Sequence, residues 1–195
     1  MVVGVATDGP EPRVTLSTFL ATAAEGDRLS LEPYQVAYEM ERGAQGAVSA
    51  EAVAAVAEGR GRQCQAAAKG LDDIVAKLHD SGWEPAVAAL LLNRAGWITD
   101  LLQHSLSAPE HPAVAEGLAV RDALRFAFAQ QGLIAVEMDE KSLLQAAPEQ
   151  LGLSIAVIEM RLKGLSATAG RPWRKEQKLA CLSAWLALAA RSPGN

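Results

Sequence analysis

The chain has 195 residues, half of them hydrophobic yet only 5% aromatic, and a net charge of −5. That length buries a core of one large or two small domains, and the acidic balance excludes indiscriminate nucleic-acid binding by the whole surface. The apolar content is mostly Ala and Leu, a helical bias that predicts an all-α multi-helix bundle or orthogonal helical domain of about seven to nine helices.

In chain order, residues 1–14 read as an irregular N-terminal arm broken by Gly9-Pro10 and Pro12. The start lacks a basic n-region and a sustained apolar h-region, so a cytoplasmic location is the expectation. The Ala, Gly and Arg bias is of the kind associated with high-GC bacterial genomes. An acidic helical body is expected over 15–132. Thr15 or Ser17 opens a short helix through Phe19, Leu20 and Ala23 to Gly26, and a second runs from Ser30 through Tyr34 and Met40 to Gly43. Ser49 caps a long segment reaching residue 80, with Gly59-Arg60-Gly61-Arg62 as a candidate break. Its stripe of Cys64, Ala67, Leu71, Ile74 and Leu78 is amphipathic.

The most apolar window, 84–103, predicts a central buried helix opened by Pro85. At 100° per residue Leu90, Leu91, Trp97, Ile98, Leu101 and Leu102 share one arc. Asn93, Arg94 and Asp100 interrupt it, which argues against a membrane span. Arg94 projects into the middle of that arc. A guanidinium there needs a carboxylate, a route to water along its own stem, or an anionic ligand. Arg94 and Trp97 therefore mark a candidate buried pocket, and with it a ligand-binding or enzymatic bundle as one functional reading.

A further helix is predicted over 112–131, closed by Gly132. A basic C-terminal helical subdomain is then expected over 139–190. Residues 1–160 hold 11 Lys/Arg against 22 Asp/Glu, whereas residues 161–195 hold seven against one. That asymmetry is the strongest global signal. Within the subdomain, Ala147 to Ser154 followed by Val157, Ile158 and Leu162 forms a helix-turn-helix-like hairpin (141–165). Gly152 allows the turn, Leu153 plugs the helix pair and Ser154 caps the second helix. The segment is similar to the helix-turn-helix of sigma-factor region four and of LuxR-type output domains, in which LGxS precedes the recognition helix. The resemblance covers about 25 residues and implies DNA binding. The residues that would carry it, or would meet an acidic partner, are Ser154, Arg161, Lys163, Arg171, Arg174, Lys175 and Lys178. Two features depart from the pattern: Pro148 lies inside the first helix, and Glu159 and Met160 stand where a reading face is usually polar or basic. Pro172 is placed to open the last helix, on which Trp173 and Trp185 read as core anchors.

No P-loop, GxGxxG, HExxH, GxSxG or paired CxxC is present. His79, His104 and His111 lack helical metal-ligand spacing, and His104 with Asp100 reads as a solvated i, i+4 pair. Cys64 and Cys181 read as free thiols. No cofactor and no metal is expected. The reading that follows is a non-enzymatic interaction or regulatory protein binding a protein partner or itself. A DNA-binding regulator is the alternative.

Overall fold

The computed structural model describes residues 1–8, 11–42, 47–92, 97–170 and 172–191. In chain order its elements are β1 (Val2–Asp8), β2 (Glu11–Thr18), α1 (Arg28–Leu31), α2 (Pro33–Met40), α3 (Ala50–Asp80), β3 (Ala88–Leu92) and α4 (Leu101–Leu106). After these come α5 (His111–Gln130), β4 (Ala135–Asp139), α6 (Leu143–Leu151), α7 (Ile155–Gly164), α8 (Ser166–Ala169) and α9 (Lys175–Ala189). Among the described residues helix predominates, with two small sheets. The expected all-α class is therefore corrected to a helix-dominated mixed α/β fold.

Two expected elements account for the difference. The N-terminal arm and the short helix after it are replaced by an antiparallel hairpin. β1 pairs with β2 from Val2↔Thr18 to Asp8↔Glu11, with an irregularity between Gly4 and Val5. Val2, Val3, Val5, Val14 and Thr15 supply the β-branched side chains that suit a half-buried strand. Among the described residues the central helix expected at 84–103 is corrected as well, with only Leu101–Gln103 helical, in α4. Ala88–Leu92 is instead a strand, parallel to β4 from Ala88↔Ala135 to Leu92↔Asp139. A five-residue apolar run suits a buried parallel strand as well as a helix turn, and only a distant partner decides between them. That partner lies 47 residues further along the chain.

The chain divides into two compact units. The first comprises Met1–Leu20, Ile74–Arg94 and Gly132–Asn195. Its core joins Val3, Leu143, Ala147, Ile158, Leu162, Cys181, Leu182, Trp185 and Leu186, with Leu91 and Met138 packed against it. The central helix here is α9. Gln177, Cys181, Leu182, Ser183, Trp185, Leu186 and Ala187 are all buried, and they spread around its whole circumference. A helix covered on every side is a core helix, and β1, β3, α6 and α7 supply the cover. Pro172 does not open α9. Arg174 is its N-cap, and buried Gln177 accepts a hydrogen bond from the Arg174 N–H (2.8 Å) and donates to the Pro172 carbonyl (2.5 Å). Trp185 is 2% exposed. Trp173 precedes the helix and donates from Nε1 to the Leu162 carbonyl at 2.7 Å, tying the start of α9 to α7.

The second unit comprises Ala21–Asp73 and Ala95–Gln131. α3 contributes residues 50–73 to it, and Ser49 caps that helix by accepting from the Ala52 N–H at 3.1 Å. The Gly59–Arg62 segment does not break α3. Ala52 and Val56 on α3, Tyr34 and Ala37 on α2, and Ala115 and Ala119 on α5 form the core. Small residues at four-residue spacing on α5 (Ala115, Ala119, Ala123, Ala127) are all buried, which lets neighbouring backbones approach closely. The Glu110–His111–Pro112 junction opens α5 with proline in its first turn, as the missing proline N–H favours.

Candidate functional site

The hairpin α6–α7 in the first unit has the local geometry that its sequence requires. α6 ends at Gly152, which adopts the left-handed conformation at φ 64°, a region that glycine enters without steric cost. Ser154 then caps α7, its Oγ accepting from the Val157 N–H at 3.4 Å. Leu143 and Ala147 on α6 and Ile158 and Leu162 on α7 face the shared core, and Leu153 between them packs on it. Pro148 sits inside α6 without ending it, at the expense of one backbone hydrogen bond.

The basic residues assigned to a binding face separate into three groups. Arg161 turns inward: its side chain is 21% exposed, Nη2 is 2.7 Å from Glu11 Oε1 on β2, and its guanidinium lies 5.9 Å from the Trp185 ring centre. It ties α7 to the hairpin and the core. Lys163 at the end of α7 and Arg174 and Lys175 at the start of α9 are exposed, while Lys178 is half-buried. Arg171 lies outside the described residues. The outer face of α7 presents Ile155 (43% exposed), Ala156, Glu159, Met160 (64%) and Lys163. Removing the charge of Glu11 (Glu11→Gln) is expected to cost no more than about 1 kcal/mol, because that carboxylate is mostly in water. Urea denaturation of the variant checks this.

Of the other expected pocket, Arg94 and Trp97, only Trp97 is among the described residues. Trp97 is 74% exposed and meets the His104 ring in a T-shaped contact with centroids 5.6 Å apart. Arg94 lies outside the described residues. His104 is not paired with Asp100. Asp100 caps α4 by accepting from the Gln103 N–H at 3.0 Å, while the His104 ring stacks on His111 at 4.1 Å. His111 Nδ1 is 2.7 Å from Ser107 Oγ, but that hydroxyl also bonds the His104 carbonyl at 2.7 Å. The contact therefore closes the α4–α5 turn and does not arm a nucleophile. Among the described residues no group of three or more His, Cys, Asp or Glu is placed to hold a metal ion. Both cysteines are free, and burial pushes the Cys181 thiol up to about 12, far from the thiolate that reactivity needs.

Glu116, unremarked in the sequence, is a strongly perturbed carboxyl of the second unit. Its Oε1 accepts from the N–H groups of Tyr34 (2.6 Å) and Gln35 (3.1 Å), 82 and 81 residues earlier. Both belong to the first turn of α2, whose N-cap Glu32 makes no side-chain cap of its own. The available signal was indirect. Pro33 announces a helix start, and Glu32 caps poorly, so a carboxylate from elsewhere is needed. Glu116 Oε2 is buried with no hydrogen-bond partner among the described residues. Burial, and secondarily the nearby Glu32 charge, push its carboxyl up to about 7 against the two N–H bonds that pull it down.

No family model, curated protein or solved structure matches this chain. Among the described residues no helix is long and apolar enough to cross a membrane.

Proposed function

We propose that the protein is a non-enzymatic interaction or regulatory protein that binds a protein partner through the outer face of α7. One observation carries the reading. Where a DNA-reading helix would aim polar and basic groups at base edges, α7 aims Ile155, Ala156, Glu159 and Met160 outward, and its Arg161 is spent on Glu11 and Trp185. Two large apolar side chains in water beside a carboxylate suit a protein surface better than a phosphate backbone. The second reading, a DNA-binding regulator, is favoured by the αL turn at Gly152, the Ser154 cap and the exposed Lys163, Arg174 and Lys175.

A paired experiment separates them. Titrating a generic duplex at about 100 mM salt is expected to give no binding. If binding does occur, its log–log salt slope of roughly −0.9 per neutralised phosphate should flatten by about two in the Arg174→Ala/Lys175→Ala variant. That outcome would replace the protein-partner reading with the DNA one. In parallel, cross-linking and sedimentation of the wild type against Ile155→Glu/Met160→Glu are expected to show complexes or self-association that the double variant loses. Complexes that survive the double variant place the partner surface elsewhere.

A further inference from the structure

We propose that the partner of the α7 face is an acidic amphipathic helix of another protein. Its apolar side chains pack on Ile155 and Met160, and its carboxylates meet the cations at the corner of α7 and α9. This rests on the protein-partner reading above and adds the partner's chemistry to it. The surface is divided along its length. On α7 the exposed Ile155, Glu159 and Lys163 form one row at four-residue steps, and Ala156 and Met160 form the next. A second helix packs its own side chains between rows of this kind. At 1.5 Å per residue Ile155 and Lys163 lie about 12 Å apart, so the apolar groups hold the first half of the face and the cations begin at its end.

The cationic end is assembled from two helices. Trp173 Nε1 donates to the Leu162 carbonyl at 2.7 Å, which brings Arg174 and Lys175 at the start of α9 to the turn that carries Lys163. All three are exposed, and Lys178, one turn further along α9, is half-buried. Among the described residues none of the four is in an ion pair. Arg161 is not part of this set, since Glu11 holds it at 2.7 Å. Against the four cations stand Glu159 on α7 and Glu176 on α9, and four less two leaves the corner at +2. That excess asks for carboxylates in whatever binds there.

A polyanion of uniform charge fits only half of this surface. A phosphate backbone running past Lys163 along α7 would meet Glu159 and two apolar side chains. An amphipathic acidic helix fits both halves, with apolar burial holding it and the cations setting its orientation. A second copy seated isologously would oppose α7 to α7, which offers the +2 corner no excess of carboxylates.

Fluorescence anisotropy with synthetic helical peptides tests this at about 50 mM salt, where surface charges are weakly screened. The probes carry leucine on one face and glutamate, glutamine or lysine on the other, with a DNA duplex for comparison. The glutamate peptide is expected to bind roughly tenfold or more tighter than the glutamine peptide, and to lose that margin at about 500 mM salt. Lys163→Glu/Lys175→Glu turns the corner from +2 to −2 and is expected to move the preference to the lysine peptide. Ile155→Ser/Met160→Ser is expected to weaken every peptide by about tenfold. All four side chains are exposed, so these variants keep the fold. Equal affinity for the glutamate and glutamine peptides overturns the proposal. A preference that survives the charge reversal does so too, as does peptide binding that ignores the serine pair. Tighter binding of the duplex assigns the corner to DNA, and self-association that the charge reversal abolishes assigns it to a second copy; either also overturns it. If wild-type complexes are lost in Ile155→Glu/Met160→Glu while no charge preference is seen, the α7 face is the partner surface and only the partner's chemistry is wrong. If neither is seen, the protein-partner reading falls as well.

Discussion

Trp185→Ala is expected to destabilise the first unit by about 3–5 kcal/mol, the range for deleting a large buried ring. The indole is 2% exposed in a cluster with Cys181, Leu182 and Leu186 from its own helix and Val3 from β1, Leu143 and Ala147 from α6, and Ile158 and Leu162 from α7. A close-packed cluster relaxes only partly into the space left by an indole, so a cavity adds to the transfer loss. Arg161, 5.9 Å from the ring centre, loses its aromatic platform in the same change. The control is Trp97→Ala. That ring is 74% exposed, and its removal is expected to shift stability by no more than about 0.5 kcal/mol. Urea denaturation, with hydrogen exchange of the α9 amides to locate the effect, distinguishes the two. Equal losses from the two variants would refute the placement of both rings.

That pair of tryptophans shows where the sequence was legible and where it was not. Helices with a cap and a stripe could be read. Ser49 opening α3, Pro112 in the first turn of α5, and Gly152 and Ser154 shaping the α6–α7 turn all rest on interactions within a few residues. What failed depends on partners far along the chain. The Ala88–Leu92 run is equally good as helix or strand until Ala135–Asp139 is brought beside it, and the same ambiguity assigned Trp97 to a helix core. α9 misled in the opposite sense. Its apolar residues occupy every face, so it offers no stripe, and its neighbours in sequence are basic. Charge therefore marked its start as a binding segment, although the helix is the core of its unit. Arg161 belongs to the same lesson, since its Glu11 partner sits on a hairpin where the sequence predicts an irregular arm. Glu116 left only an indirect trace, because its role depends on the first turn of a helix 82 residues away.

Gly59→Ala is expected to destabilise the second unit by about 1–3 kcal/mol, against the usual sign for glycine in a helix interior. Alanine at such a position ordinarily gains about 1 kcal/mol by restricting the unfolded chain. At Gly59 the gain is overridden by geometry, since a Cβ would lie 2.4 Å from the Leu29 carbonyl oxygen and 2.6 Å from Pro33 Cβ. Neither obstacle can swing aside. The first is backbone of α1, and the second belongs to a ring fixed at the opening of α2, so relief requires the α1–α2 corner to lift off α3. Gly61, two residues on in the same helix, is exposed and has nothing within 4 Å of its own ideal Cβ. Gly61→Ala is accordingly expected to stabilise by up to about 1 kcal/mol. The opposite signs are the measurement, because helix propensity is common to both positions and cancels in the comparison. Denaturation midpoints of the two variants that move together in the stabilising direction would show that α1 and α2 do not cross α3 at Gly59.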